Sequence, residues 1–285
     1  MVIIGARRGG CVRVARVERG ELAEFYLWHL AAPDGVEDLY TGRVDAVLPA
    51  LAGCFVALGP NLSGFLPDSA GGRGQNIGTY LTVRVTRGPQ GGKGPRLAAH
   101  PALAPGESPG LLKRGPGPLI ALAQAHPGAE IWVDDYELMA SLRPALAGRL
   151  RHVADGFAPF EDEAAALFEP SAPLPQGARL HITPAPAATL LDIDAAAASA
   201  MPPLALNLSL IPALCRQIVL RNLSGALLID FAGLKSAQRA KLAAPLQAAL
   251  AFDPLKPRLL GFSHHGFAEI TRPRIRPALH EMPPP

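Results

Sequence analysis

The sequence lacks the features that would place it in a membrane, in an oxidising compartment or among highly charged nucleic-acid packers. No uninterrupted apolar run reaches the ~20 residues that span a bilayer. The best stretches, AVLPALAGCFVALG at 46–59 and MPPLALNLSLIPALC at 201–215, are short or broken by proline and glycine. The N-terminal MVIIGARRGG lacks the apolar centre of a secretion signal. These absences predict no membrane partner and a cytoplasmic location. Cysteine is scarce: Cys11, Cys54 and Cys215 are odd in number, far apart and without a C-x-x-C pair. That excludes a disulfide framework and a zinc knuckle, and leaves buried reduced thiols. A dominant charge is missing too. With 27 basic and 24 acidic residues the formal net charge is only +3, so a nucleic-acid partner has to be argued from where the basic residues sit.

What is present is apolar patterning. At 285 residues, 49% of them hydrophobic, the chain can bury a sizeable core in roughly two domains. Glycine and proline are abundant but dispersed, and only 102–117 and 169–178 read as linkers. Residues 11–30 alternate on both sides of Glu18-Arg19-Gly20 and predict a β-hairpin. Short β-rich runs then continue to residue 100, at the spacing of a small barrel. From Pro118 the pattern changes. Helical stretches at 118–126, 136–150, 161–168, 204–221 and 235–250 alternate with strands at 129–135, 178–183, 188–194, 226–231 and 257–263, which predicts an α/β layer.

Two of these strands end in acids. In TLLDIDA at 189–195, strand alternation puts Asp192 and Asp194 on one face and Ile193 on the other. ALLIDF at 226–231 carries Asp230 at its end. If the strands are neighbours, three carboxylates meet, at a cost of several kcal/mol unless a cation lies between them. Hard oxygen ligands with room for water and phosphate suit Mg²⁺, or Mn²⁺ in its place. Periodicity alone equally fits acids that end strands and cap loops.

The order and spacing of these motifs resemble the ribonuclease E/G family. Asp192-Ile193-Asp194, Arg216-Gln217 to Arg221 and Leu228-Ile229-Asp230-Phe231 match the family's catalytic region. Tyr40-Thr41-Gly42-Arg43-Val44, Cys54-Phe55-Val56, Gly64-Phe65-Leu66-Pro67 and Gly92-Lys93-Gly94-Pro95-Arg96-Leu97 match its S1 domain. The resemblance implies an α+β, α/β multidomain fold: an S1 barrel of OB type inserted in an RNase H-like layer, followed by a DNase I-like α/β catalytic region. The corresponding spans are 1–35 and 118–178 for the layer, 36–101 for the barrel, 102–117 for a linker and 179–285 for the catalytic region.

It further implies a Mg²⁺-dependent endoribonuclease acting on single-stranded RNA. Asp192 and Asp230 would be metal ligands and Asp194 a third catalytic acid. Phe55, Phe65, Lys93 and Arg96 would hold RNA, together with a basic row at Arg272, Arg274 and Arg276. Base stacking on aromatic faces beside cations is common single-strand chemistry, although Phe55 and Phe65 on their own read as barrel core. The RNase H-like layer implies no separate activity, so Asp134, Asp135, Glu161 and Glu163 read as a solvated charged face.

Three departures qualify the resemblance. The segment at 102–117 is too short for the family's 5′-monophosphate sensor. The Cys-Pro-x-Cys zinc link is absent, so neither zinc nor a zinc-linked dimer is expected. Ala195 to Ala198 replace a hydroxyl and an arginine beside the acids, and Gly233 replaces a further acid; losses of this kind reduce activity about 10- to 100-fold. The alternative is therefore a non-catalytic RNA-binding protein derived from such an enzyme.

Overall fold

The computed structural model describes residues 1–195 and 201–283. Three strands open the chain: β1 (Val2–Arg8), β2 (Cys11–Glu18) and β3 (Glu21–His29) form an antiparallel meander. Five more close a barrel: β4 (Leu39–Leu48), β5 (Gly53–Gly59), β6 (Leu62–Pro67), β7 (Tyr80–Arg87) and β8 (Arg96–Ala99). The long β4 pairs with β7 through its first half and β5 through its second, which closes the ring. Its core holds Val44, Cys54, Val56, Leu66, Val83 and Leu97. The expected linker is only partly a linker, because β9 (Gly110–Lys113) adds to the edge of β4.

After the barrel the chain returns to the first sheet. Helix α1 (Gly117–Ala125) leads to β10 (Glu130–Val133), α2 (Tyr136–Leu146) and β11 (Leu150–His152), and the strand order becomes β11-β10-β1-β2-β3. β2 is buried along nearly its whole length because both faces of this sheet are covered. Val12, Val14 and Ile131 pack on α1 and α2, while Ile4, Phe25 and Phe157 pack on the side of α3 (Glu161–Ala166).

A second sheet follows, in the order β12 (Ser171–Pro173), β13 (Arg179–Pro184), β14 (Ala188–Asp194), β15 (Gly225–Asp230), β17 (Ala268–Arg272) and β16 (Arg258–Phe262). Only β14 and β15 are parallel, joined through α4 (Pro203–Leu220). By length and composition α4 is apolar enough to cross a bilayer, with a mean hydropathy of 1.5. Here Leu206, Leu210, Leu214 and Ile218 are instead buried against the sheet. The helix expected over 235–250 breaks into α5 (Ser236–Arg239), a 3₁₀ turn and α6 (Ala243–Leu250). Leu246 and Leu250 of α6 join α4 on the same side. One face of this sheet is thus consumed by core, and the other carries the exposed positions of β13 and β14.

Candidate functional site

Alternation along β14 is sharp. Thr189, Leu191 and Ile193 are buried, while Leu190, Asp192 and Asp194 are exposed. The parallel register pairs Asp192 with Asp230, so the two acids occupy adjacent positions on one face. Neighbouring strands are about 4.8 Å apart. Neither carboxylate has a side-chain hydrogen bond or ion pair among the described residues. Like charges directly opposite each other in a sheet are destabilising, and a cation between them would offset that cost.

Asp194 lies further along the strand. The pairing of β14 with β15 ends at Asp192, and two residues further on Asp194 stands opposite Arg179 of β13. Among the described residues no three His, Cys, Asp or Glu side chains gather as a metal cage. The register thus sets Asp192 beside Asp230, with Asp194 on the same face two residues further along β14. Two carboxylates still suit Mg²⁺, which commonly takes one or two from protein and fills its octahedron with water and phosphate oxygens. Of the alanine run beside them, Ala195 packs against the core; Ala196 to Ala198 lie outside the described residues.

Two residues near the acids gave no clear signal in the sequence. His181 of β13 is exposed and stands opposite Asp192. Asn207 of α4 is fully buried, and its Nδ2 donates to the Pro203 carbonyl at 2.7 Å and the Ala232 carbonyl at 2.8 Å. It ties the start of α4 to the chain two residues beyond Asp230. The available clue was an amide in the largely apolar run LALNLSLIPAL.

The aromatic pair lies on the barrel surface. Phe55 and Phe65 are register partners on β5 and β6, with centroids 5.6 Å apart and planes at 65°. Phe55 is 39% exposed, and neither ring belongs to the barrel core. Gly53 makes this possible, since a Cβ there would lie 2.6 Å from Phe65 Cζ. Arg96 is the next register partner of Phe65, and Lys93 sits in the adjoining loop, bridged to Gln90.

The basic row is not one. Arg272 is buried: its Nε donates to Asp253 Oδ2 at 2.6 Å, its Nη2 to Asp253 Oδ1 at 3.2 Å and its Nη1 to Asn222 Oδ1 at 2.8 Å. It braces the second sheet and is out of reach of a phosphate. Arg276 pairs with Asp34. The motif arginines of α4 are structural as well. Arg216 bonds the Leu22 carbonyl and pairs with Glu163, and Arg221 donates to the Leu167 and Ala166 carbonyls at 2.7 and 3.0 Å. Burial pushes the Arg221 pKa down to about 10.

Nor are the acids of the first layer a solvated face. Asp134 and Glu161 pair with Arg8, and Glu161 also with Arg13, whose guanidinium lies 4.2 Å from the Phe157 ring centre. Asp135 pairs with Arg7 and caps α2 through the Leu138 amide. These carboxylates fasten α2 and α3 to the sheet.

The family profile described as "Ribonuclease E/G family" matches residues 132–275, and the chain belongs to that family. Ribonuclease G of Salmonella typhimurium (strain SL1344) is 30% identical over 158 residues, covering 51% of this chain and 32% of that protein. Ribonuclease G of Escherichia coli (strain K12) is 35% identical over 77 residues, 27% of this chain and 16% of that protein. The chain thus aligns with a third or less of the length of these curated relatives.

Proposed function

We propose that this protein is a Mg²⁺-dependent endoribonuclease that hydrolyses phosphodiester bonds of single-stranded RNA in the cytoplasm, with Mn²⁺ able to replace Mg²⁺. The observation that carries the reading is the in-register pair Asp192 and Asp230, unpartnered on the open face of the second sheet. Those two carboxylates would hold the ion. When bound, it supplies positive charge to the scissile phosphate and lowers the pKa of an attacking water. Asp194, on the same face, would orient that water and take up its proton. Phe55 and Phe65 would stack bases, with Lys93 and Arg96 beside the backbone.

The test is cleavage of an unstructured oligoribonucleotide with and without Mg²⁺, comparing wild type with Asp192→Ala and Asp230→Asn. Mg²⁺-dependent cutting that falls at least 100-fold in both variants is the expected result; equal cutting by all three proteins would remove the assignment. A second reading, a non-catalytic RNA-binding protein, is favoured by Asp194 lying past the end of the β14–β15 pairing and opposite Arg179. It requires binding without Mg²⁺ that is lost in Phe65→Ala, and no cleavage.

A further inference from the structure

The barrel and the second sheet meet over a cavity of about 410 Å³, lined among others by Arg87, Gln90, Lys93, Ser224 and Arg274. Three of these are cations. Glu281 is the one carboxylate in the wall, and it accepts a hydrogen bond from the Ala278 amide at 3.2 Å. Arg87, Lys93 and Arg274 have no ion-pair partner among the described residues. Arg87 Nε is buried without any hydrogen-bond acceptor. Burial first, then the neighbouring Arg96 and Arg274 charges, hold the Arg87 pKa below its ordinary value. A buried donor left unsatisfied costs about 1–3 kcal/mol, and three cations gathered beside a single carboxylate add to that cost.

Arg274 differs from the arginines on either side of it. Its neighbours Arg272 and Arg276 each have a carboxylate, whereas Arg274 lies across Gly225 at the start of β15. A Cβ at Gly225 would fall 2.3 Å from Arg274 Nη2, and the residue's φ of +85° also favours glycine. On the barrel side the strand registers form a continuous row, Phe55 to Phe65 to Arg96 to Arg87, leading from the exposed aromatic pair to this cavity. The cavity adjoins the first residues of β14, ~10 Å along the strand from Asp192 at 3.3 Å per residue.

We infer that this cavity is a phosphate subsite, in which Arg87 and Arg274, with Lys93 beside them, bind a phosphate of the RNA that stacks on Phe55 and Phe65. The inference rests on the proposed RNA ligand and deepens it: the subsite would fix where the strand lies relative to Asp192 and Asp230. Either an internal diester or a terminal monoester has the required chemistry.

The test is fluorescence anisotropy of the full chain with a short unstructured oligoribonucleotide, over a series of salt concentrations. Wild type, Arg87→Gln, Arg274→Gln, Arg274→Lys and Phe65→Ala are compared, each with a 5′-hydroxyl and a 5′-monophosphate form of the RNA. Each Gln variant is expected to bind about tenfold more weakly and to lose close to one contact from the salt slope, with Arg274→Lys regaining part of it. Loss with both RNA forms indicates an internal phosphate; loss with the monophosphate alone indicates the terminal one. Arg274 is only partly buried, so its variants remain readable if Arg87→Gln unfolds. Unchanged affinity and slope in the Gln variants, while Phe65→Ala weakens binding, would overturn the subsite and leave the RNA reading standing. If wild type binds no RNA, the RNA reading fails, and thermal melting against inorganic phosphate decides the cavity. Stabilisation lost in Arg274→Gln keeps a phosphate site, and its absence removes that too.

Discussion

Single side chains here fall into two groups that look alike in sequence. Arg272 and Arg274 are two positions apart, yet one is sealed against Asp253 and the other faces a cavity. Removing one partner of a buried ion pair strands the other charge, at about 3–5 kcal/mol. Arg272→Ala is therefore expected to lose about that much stability, read by urea unfolding, whereas Arg274→Ala should change it by less than about 1 kcal/mol. Cys215 is buried on α4, and burial pushes its thiol up to about 12. The unfolded chain loses that proton near pH 8.5, so above that pH it binds fewer protons than the native state. Stability should fall as pH rises from about 8.5 towards 12, and Cys215→Ala should flatten that part of the profile. A thiol reagent at pH 8 should leave Cys215 unmodified until the protein unfolds.

Among the elements, α4 does the most to join the parts. Its apolar side fills the core of the second sheet, Leu220 reaches the core of the first, and Arg221 at its end holds the carbonyls at the end of α3. Near its start, Asn207 holds Ala232, just past Asp230. Asn207→Ala removes two buried hydrogen bonds, which should cost about 1–3 kcal/mol. If Asn207 positions the end of β15, the variant should lower kcat for the proposed RNA cleavage more than it raises KM, a split that destabilisation alone would not produce in protein kept folded. Much of this level was legible from the residues. The alternation of TLLDIDA fixed which face Asp192 takes, and the apolar period of 204–221 marked α4. The broken helix at 235–250 and the strands β9, β11 and β12 were not legible, because short segments of that kind are set by what they pack against or pair with.

At the scale of the molecule, the barrel is an insertion between β3 and α1, with its own core. It is tied to the C-terminal segment by the Arg276–Asp34 pair and by the Gly88 amide on the Ile275 carbonyl. A double-mutant cycle on Asp34 and Arg276 should return a coupling of about 0.5–3 kcal/mol in unfolding experiments. Both single variants should also weaken the proposed RNA binding, since the pair helps hold the barrel against the sheet that carries the acids.

The sequence by itself determined the side of β14 on which the acids lie, the order of the motifs and hence the family, because these depend on residue type and short spacing. It could not set Asp194 opposite Arg179, bury Arg272 or bring Arg87 to Arg274. Those outcomes depend on strand register and on the approach of segments nearly two hundred residues apart, and only tertiary packing sets them.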